Sequence, residues 1–521
     1  MPGRIAQTSV ALVLITIVTA ASGYLREFVL ARTFGVGTEM DAFYFCVGLI
    51  QASHDLLFGA TLTATIVPLL HRPAAAAPSA ADDPARFTVT VALTIALLGI
   101  AVAIGIRGIM PDLIDLLSPD MSGVVRAQCL ALSTLAVWLL PLNALTNVGV
   151  LVLNAHQRFV VPATSYIFIN LMFVAVVVLF APTEGLYSLS LAVVAGPACF
   201  LPVLAVCLAR MGLLRALRPD FSRQFFHPIW RQARPILLSF GIGSSLGLLM
   251  IAHLIVRGFA ADSGQGSIAA LGYAFRLYQV PLSLLANPAA VLILPNIAIL
   301  YQAGRIAEIR EISRQLLLAG LVVLFPAAVV TWVGADLIVH LLLQRGSFDA
   351  GAARLTAEAL RGFAPAIVVE GIIVVFYRFF YAIYRPHRVV FASFAALAAL
   401  LCLLFLFGHI TFINVPLSLS GGFLIGAAIL IYSLKREIGR DGLPTIISLA
   451  KWACCVLVGM AGLRIAEHYE TANLWTELIV IGVFLACYCA AVLGAFGDYR
   501  RMLFKLLGAF GWRLRRIVGS V

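Results

Sequence analysis

Apolar residues in this chain come in long unbroken runs, not at the spacing of a single amphipathic face or in the alternation of a half-buried strand. Runs of about 18 or more residues recur from one end to the other, each long enough as a helix to cross a bilayer core about 30 Å thick. Alternating segments of about ten residues, the mark of a membrane barrel, are absent. The pattern predicts fourteen helical spans. They lie at about 7–32, 41–70, 87–110, 126–153, 159–181, 186–209, 234–260, 267–301, 312–343, 358–383, 388–408, 413–434, 444–466 and 474–496. The expected fold is an all-α polytopic membrane protein.

The pattern also repeats. Phe58 to Pro68 matches Leu285 to Pro295 at an offset of 227 (295 − 68), and Ala155 and Arg158 match Ala382 and Arg385 at the same offset. Asp112-Leu113-Ile114 recurs as Asp336-Leu337-Ile338, 224 positions on. Two homologous halves of six spans each follow, and because six is even both start on the same side of the membrane. The expected organisation is a first lobe over 1–222, a second over 223–440, two added helices over 441–498 and a tail over 499–521. A substrate site is expected between the lobes.

Composition sharpens this picture. The chain is 62% hydrophobic and only 12% charged, which excludes a soluble globular class. The net charge of +12 would suit nucleic acid, but the basic residues gather in alternate loops, which is the positive-inside pattern. Arg210, Arg215, Arg218, Arg223, Arg231 and Arg234 fill one such loop, and Lys435, Arg436 and Arg440 another. Both termini are therefore expected in the cytoplasm, with no nucleic-acid partner. The tail mixes Arg500, Arg501 and Lys505 with Leu503, Phe504 and Trp512, and reads as an amphipathic helix on anionic inner-leaflet lipids. Pro73 to Pro84 reads as a flexible Ala/Pro-rich loop. Ala20-Ala21-Ser22-Gly23 resembles a cleavage site, but the apolar run before it is long and reads as a retained helix. The nine cysteines all lie in apolar runs and read as small core residues. No G-x-S-x-G, H-E-x-x-H or P-loop is present, so neither an enzyme, a metal site nor a cofactor is expected.

The polar residues inside the apolar runs carry the candidate chemistry. An ionisable group at membrane depth costs at least about 2.5–3.5 kcal/mol, and is tolerated where it faces a bundle interior or a wet cavity. Arg26 and Arg276 are the two in-membrane cations of this reading. Arg26 either snorkels to the interface or faces a cavity that receives an anion. Its neighbour Glu27 points about 100° away on a helix and is not expected to pair with it. Asn143 and Asn147 share a helix face and either bind sugar hydroxyls or hydrogen-bond neighbouring helices. His253 is a candidate for proton coupling.

The run Gly23 to Phe43 (G-Y-L-R-E-F-V-L-A-R-T-F-G-V-G-T-E-M-D-A-F) resembles the first signature of the MurJ (MviN) family of lipid II flippases, within the multidrug/oligosaccharidyl-lipid/polysaccharide exporter superfamily. Leu153 to Phe159 with Pro162, Arg276 to Pro281, Ile293-Leu294-Pro295, Leu343 to Phe348 (L-Q-R-G-S-F) and Phe380-Tyr381-Ala382 with Arg385 resemble further signatures in the same order. The resemblance covers the chain from end to end. It implies a flippase of the bacterial inner membrane that carries a polyprenyl-pyrophosphate-linked glycan by alternating access, with a possible coupling ion. It implies Arg26 and Arg276 as the phosphate ligands and Asp41 as an acid in the cavity mouth.

Five positions depart from the family pattern. An arginine of the first helix is Ala20 here, an arginine pair in the second is His54 and Asp55, a glutamate after it is Gly59, and the glutamate after the eighth-helix arginine is Gln279. His54 is read either as a partly charged ligand or as a neutral, hydrogen-bonded ring. The substrate-site expectation thus comprises Arg26, Arg276, Asp41, His54, Gln279, Asn143 and Asn147. Two other functions stay open. One is a flippase for an exopolysaccharide repeat unit. The other is a drug/cation antiporter of the same superfamily, which would need an anionic cavity.

Overall fold

The computed structural model describes residues 2–59, 84–215, 219–222, 245–286, 297–468 and 474–497. Among the described residues every regular element is a helix. Hydrocarbon offers no partner to backbone N–H and C=O groups, so a helix, which pairs them within itself, is the available form. The first half carries α1 (Pro2–Phe34), α2 (Thr38–His54), α3 (Pro84–Gly108), α4 (Met110–Leu117), α5 (Gly123–Ala136), α6 (Leu139–Ala155), α7 (Val160–Glu184) and α8 (Leu186–Arg210). Then come α9 (Ser245–Ala260), α10 (Ser267–Pro281), α11 (Ile306–Val333), α12 (Ala335–Leu342), α13 (Ala350–Ala382), α14 (Pro386–Phe407), α15 (Asn414–Ile438), α16 (Ile446–His468) and α17 (Leu474–Ala495). Nine described helices are long and apolar enough to cross a membrane, and a tenth span results if α5 and α6 form one.

Helix boundaries fall within a few residues of the apolar runs for most spans, with three differences. The run at 126–153 is broken by a 41° bend between α5 and α6. Pro141 explains it, because its ring has no N–H and clashes with the carbonyl four residues back, that of Val137. The run at 312–343 is two helices parted at Gly334, and α4 is a short helix no apolar run announced. Ala20 to Gly23 lie within the continuous α1. Residues 60–68 and 287–295 of the repeat motif, most of the Pro73–Pro84 loop, most of the basic loop before α9 and the tail from Arg500 lie outside the described residues.

Two backbone irregularities recur at one spacing. A π-turn follows α2 at Asp55–Gly59 and another follows α10 at Leu282–Ala286, 227 positions later (282 − 55). Among the described residues, Gln157 (φ 61°) and Tyr384 (φ 59°) are the non-glycine residues with left-handed backbone, again 227 apart (384 − 157).

The chain divides into two compact units. The first comprises residues 1–280, 339–363 and 385–426. Its core is built on α3, α6 and α8, where Phe87, Val91, Val148, Val152, Phe200 and Leu204 interdigitate. The backbone of α3 comes close to α6 at Gly99, where a β-carbon would stand 2.8 Å from Cα of Pro141. Small residues at such crossings let helices approach where lipid supplies no hydrophobic drive. The second unit comprises 281–338, 364–384 and 427–521. There α16 and α17 pack on α11 through Val322, Cys455, Tyr488 and Val492, and the Tyr488 hydroxyl donates to the Val322 carbonyl at 3.1 Å.

Candidate functional site

The site grows from Glu27 of α1. Its side chain is 6% exposed, and both oxygens have partners. Oε1 accepts from Arg26 Nη2 at 2.7 Å and Nε at 3.2 Å, and Arg276 Nε of α10 stands 3.4 Å from the same oxygen. Oε2 accepts the Tyr44 hydroxyl of α2 at 2.6 Å. The expectation that Arg26 and Glu27 would not pair is therefore corrected. The 100° between neighbours applies at the Cα atoms, and the arginine stem is long enough to bend back across it.

A buried carboxylate is tolerated when ion pairs and hydrogen bonds offset its desolvation, and here three side chains do so. The cations keep donors to spare. Arg26, 22% exposed, commits Nε and Nη2 to Glu27 and lies over the Phe173 ring of α7 at 5.3 Å. Arg276, 49% exposed, pairs through Nε, and its Nη groups make no hydrogen bond among the described residues. A guanidinium has five N–H donors in a planar fork, so both retain a face for a phosphate or carboxylate. One carboxylate thus draws together arginines from the two halves of the sequence.

Asp41 fixes this register. It is buried, and its Oδ2 accepts the Gly266 amide at 2.6 Å while Oδ1 accepts the Ala269 amide at 2.7 Å. It therefore closes the free N–H groups at the start of α10, which a helix leaves unpaired and a carboxylate suits. The hold sets α10 against α2, so that Arg276 reaches Glu27. Between them, the Tyr44 ring lies against Gly272, where a β-carbon would be 2.4 Å from the ring, and edge-on to Tyr273.

A second contact lies at the α1–α2 turn. Ser347 N donates to the Arg32 carbonyl at 3.0 Å, Ser347 Oγ to the Thr33 carbonyl at 3.0 Å, and Tyr273 OH to the Gly35 carbonyl at 3.1 Å. Gly35 (φ 65°) and Gly346 (φ 61°) take left-handed backbone here, and a β-carbon on the first would meet the Ser347 carbonyl oxygen at 2.3 Å and on the second the Arg32 carbonyl oxygen at 2.5 Å. Phe348 is buried edge-on against Tyr273. The L-Q-R-G-S-F run is thus a docking segment for the α1–α2 turn.

The remaining sequence-derived residues fall in other groups. His54 is buried. Its Nδ1 lies 3.0 Å from Asp55 Oδ1 and its Nε2 3.4 Å from Asn147 Nδ2, while Gln51 Nε2 donates to Asp55 at 3.0 Å. A ring with its proton on Nδ1 satisfies all these contacts at once: Asp55 accepts and Asn147 donates. This cluster sits at the first π-turn, and among the described residues no hydrogen bond or ion pair joins it to the arginines. Asn143 lies one turn before Asn147, half-buried. Gln279 Nε2 donates to the Tyr278 hydroxyl at 3.2 Å, which also meets His253 Nε2 at 3.1 Å.

Sequence reasoning missed three participants: Tyr44, Tyr273 and Arg257. Arg257 of α9 donates from Nη1 to the Tyr44 carbonyl at 3.1 Å and lies over the Phe275 ring at 5.4 Å, a ring that Arg276 also approaches at 5.9 Å. It stands three residues from the end of its run and so reads from sequence as a flanking interfacial charge. The signal available was its i+4 spacing from His253, which puts both on one helix face.

The family model for the lipid II flippase MurJ matches residues 30–484, most of the chain. This protein belongs to the MurJ family. Relatives include a probable lipid II flippase MurJ of Rhizobium tropici, 26% identical over 67% of this chain and 66% of its own length. The Rhizobium meliloti (strain 1021) protein is 25% identical over 63% of this chain and 61% of its own, so these matches span somewhat under two thirds of the relatives' length. The probable lipid II flippase MurJ of Rickettsia prowazekii is 22% identical over 92% of this chain and 93% of its own. A solved lipid II flippase MurJ in an inward closed conformation superposes with a TM-score of 0.76 over 94% of this chain and 99% of that one, at 17% identity. An inward-facing multidrug resistance MATE family transporter gives 0.59 over 82% and 94%, at 13% identity. The MurJ fold, and with it a multi-pass inner-membrane protein, is therefore established for this chain.

Proposed function

We propose that this protein moves a polyprenyl-diphosphate-linked glycan of the lipid II type across the inner membrane, with Arg26 and Arg276 as the ligands of its diphosphate. The observation that carries the reading is the pair of guanidiniums on Glu27, each with unused donors, in otherwise apolar helices. A diphosphate and its sugars do not enter hydrocarbon unaided. Charge-assisted contacts from planar guanidiniums lower that cost. In this reading Glu27 and Tyr44 aim the cations, Asp41 sets the helix that carries Arg276, and the polyprenyl tail stays in lipid.

The transport step is proposed as alternating access between two parallel six-helix repeats, within fourteen spans whose termini both face the cytoplasm. The paired π-turns and the paired left-handed residues, each 227 positions apart, support the repeat, because these irregularities share the offset found between the sequence motifs. With that orientation, the Gly35–Ser347, Asp41–Gly266 and Tyr44–Gly272 approaches lie towards the extracytoplasmic helix ends. Their tight backbone contacts then describe the closed outer side of the cycle, with cargo entering from the cytoplasm. The basic tail is proposed to rest on anionic lipids.

A second cargo, an exopolysaccharide repeat unit, is favoured by one observation. His54, which stands at a position of the family's arginine pair, is turned inward to protein partners. A site with fewer cations would suit a different head group. An antiporter of organic cations is disfavoured by the excess of positive charge.

The test is labelling of translocated precursor by an impermeant reagent in cells depleted of the protein. Wild type should restore labelling, and Arg26→Ala or Arg276→Ala should leave it at the depleted level. Unchanged labelling on depletion removes the flippase reading. Restoration of export but not of growth in a lipid II flippase-deficient strain selects the second cargo.

A further inference from the structure

We infer that Arg257 is a third ligand of the cargo's diphosphate, supplying charge that the departures at Ala20 and His54 remove. The inference rests on the reading of Arg26 and Arg276 as diphosphate ligands and adds a residue to it.

Arg257 is held inside the same network. Tyr44 links the two sides: its hydroxyl donates to Glu27, and its carbonyl accepts from Arg257 Nη1. The Phe275 ring lies within cation–π distance of both Arg257 and Arg276, so the two guanidiniums flank one aromatic side chain. The position is prepared. At Gly48 of α2 a β-carbon would stand 2.2 Å from Arg257 Nη1, so the smallest residue occupies a place where the guanidinium needs room.

Charge then decides what the network binds. Arg26, Arg257 and Arg276 bring three positive charges, and Glu27 brings one negative charge already shared by Arg26, Arg276 and Tyr44. Asp41, one turn before Tyr44, is spent on the amides of Gly266 and Ala269. Arg257 meets a carbonyl and a ring, neither of which cancels its charge. The three arginines and Glu27 therefore sum to two positive charges, and the carboxylate of Asp41, which neutral amides do not cancel, brings the cluster to one in excess, in helices whose surroundings are apolar. Such an excess is costly without an anion. A diphosphate diester spreads two negative charges over two phosphoryl groups, whereas a phosphate monoester carries a similar charge, about −1.5 to −2 near neutral pH, on one, so the two differ in the phosphoryl groups a third guanidinium can reach rather than in total charge. Arg257 is accordingly expected to set the preference for the diphosphate. A single hydrogen bond to a carbonyl leaves four N–H donors for it.

The experiment measures binding of undecaprenyl diphosphate and undecaprenyl monophosphate to the full-length protein in nanodiscs, for wild type, Arg26→Gln and Arg257→Gln. Arg257→Gln is expected to weaken diphosphate binding by about tenfold and monophosphate binding much less, so that the preference between them narrows. Packing loss alone would lower both equally. Gly48→Ala covers the case in which Arg257→Gln does not fold. It keeps the charge but displaces the guanidinium, and should narrow the preference severalfold. A wild-type preference in Arg257→Gln or, failing that, in Gly48→Ala, while Arg26→Gln loses diphosphate binding, overturns the role of Arg257 alone. Wild-type diphosphate binding in Arg26→Gln and Arg257→Gln together overturns the diphosphate reading of the whole cluster.

Discussion

At the scale of single residues, Glu27 decides the geometry of everything charged around it. Its removal leaves Arg26 and Arg276 without their shared anchor, and a buried ion pair broken on one side costs about 3–5 kcal/mol. Glu27→Ala should therefore lower the melting temperature of the purified protein and abolish precursor export. Glu27→Gln should recover much of the stability, since an amide still accepts from Tyr44, but not the export. Equal export by Glu27→Gln and wild type would show that the charge of this side chain is irrelevant. Arg26 and Arg276 were legible in sequence because a cation in an apolar run stands out. Tyr44, Tyr273 and Arg257 were not, since each has a partner more than two hundred positions away and their residue types carry no such mark. The non-pairing expected of Arg26 and Glu27 failed because it treated side chains as if they ended at the β-carbon.

At the scale of elements, run length gave the helices, and local chemistry gave their breaks. Hydrocarbon thickness sets how many apolar residues a span requires, so most boundaries were readable to within a turn. The bend at Val137 and the split at Gly334 were not, because both positions sit in continuous apolar sequence. The approach of α2 to α10 depends on one residue without a side chain. Gly272→Val places two methyl groups where the Tyr44 ring lies, and neither helix backbone can give way without loosening the Asp41 hold on Gly266 and Ala269. We expect this variant to lose export and to raise amide hydrogen exchange over 266–272. Exchange like that of wild type would mean that the ring simply turns aside. Gly105, where an added β-carbon meets nothing within 4 Å, supplies the control, and Gly105→Ala should export normally.

At the scale of the molecule, the duplication is the larger claim. The sequence motifs that suggested it lie partly outside the described residues, yet the π-turns and the left-handed pair carry the same spacing independently. Parallel repeats require Gln157 and Tyr384 to face the same compartment, whereas inverted repeats would place them on opposite sides. Single cysteines at these two positions, in a background without other reactive thiols, should both resist an impermeant maleimide in intact cells and both react in inverted vesicles. Opposite behaviour of the two would end the parallel reading.

Under the proposed cycle, the carboxylate of Glu27 also bears on the half-cycle in which nothing is carried. A transporter must reset, and bare guanidiniums dragged through a bilayer interior would make that return slow. An internal anion that takes the cargo's seat between loads lets the unloaded machine reset at lower cost. The same anion obliges incoming cargo to displace it, so that tight capture is traded for turnover.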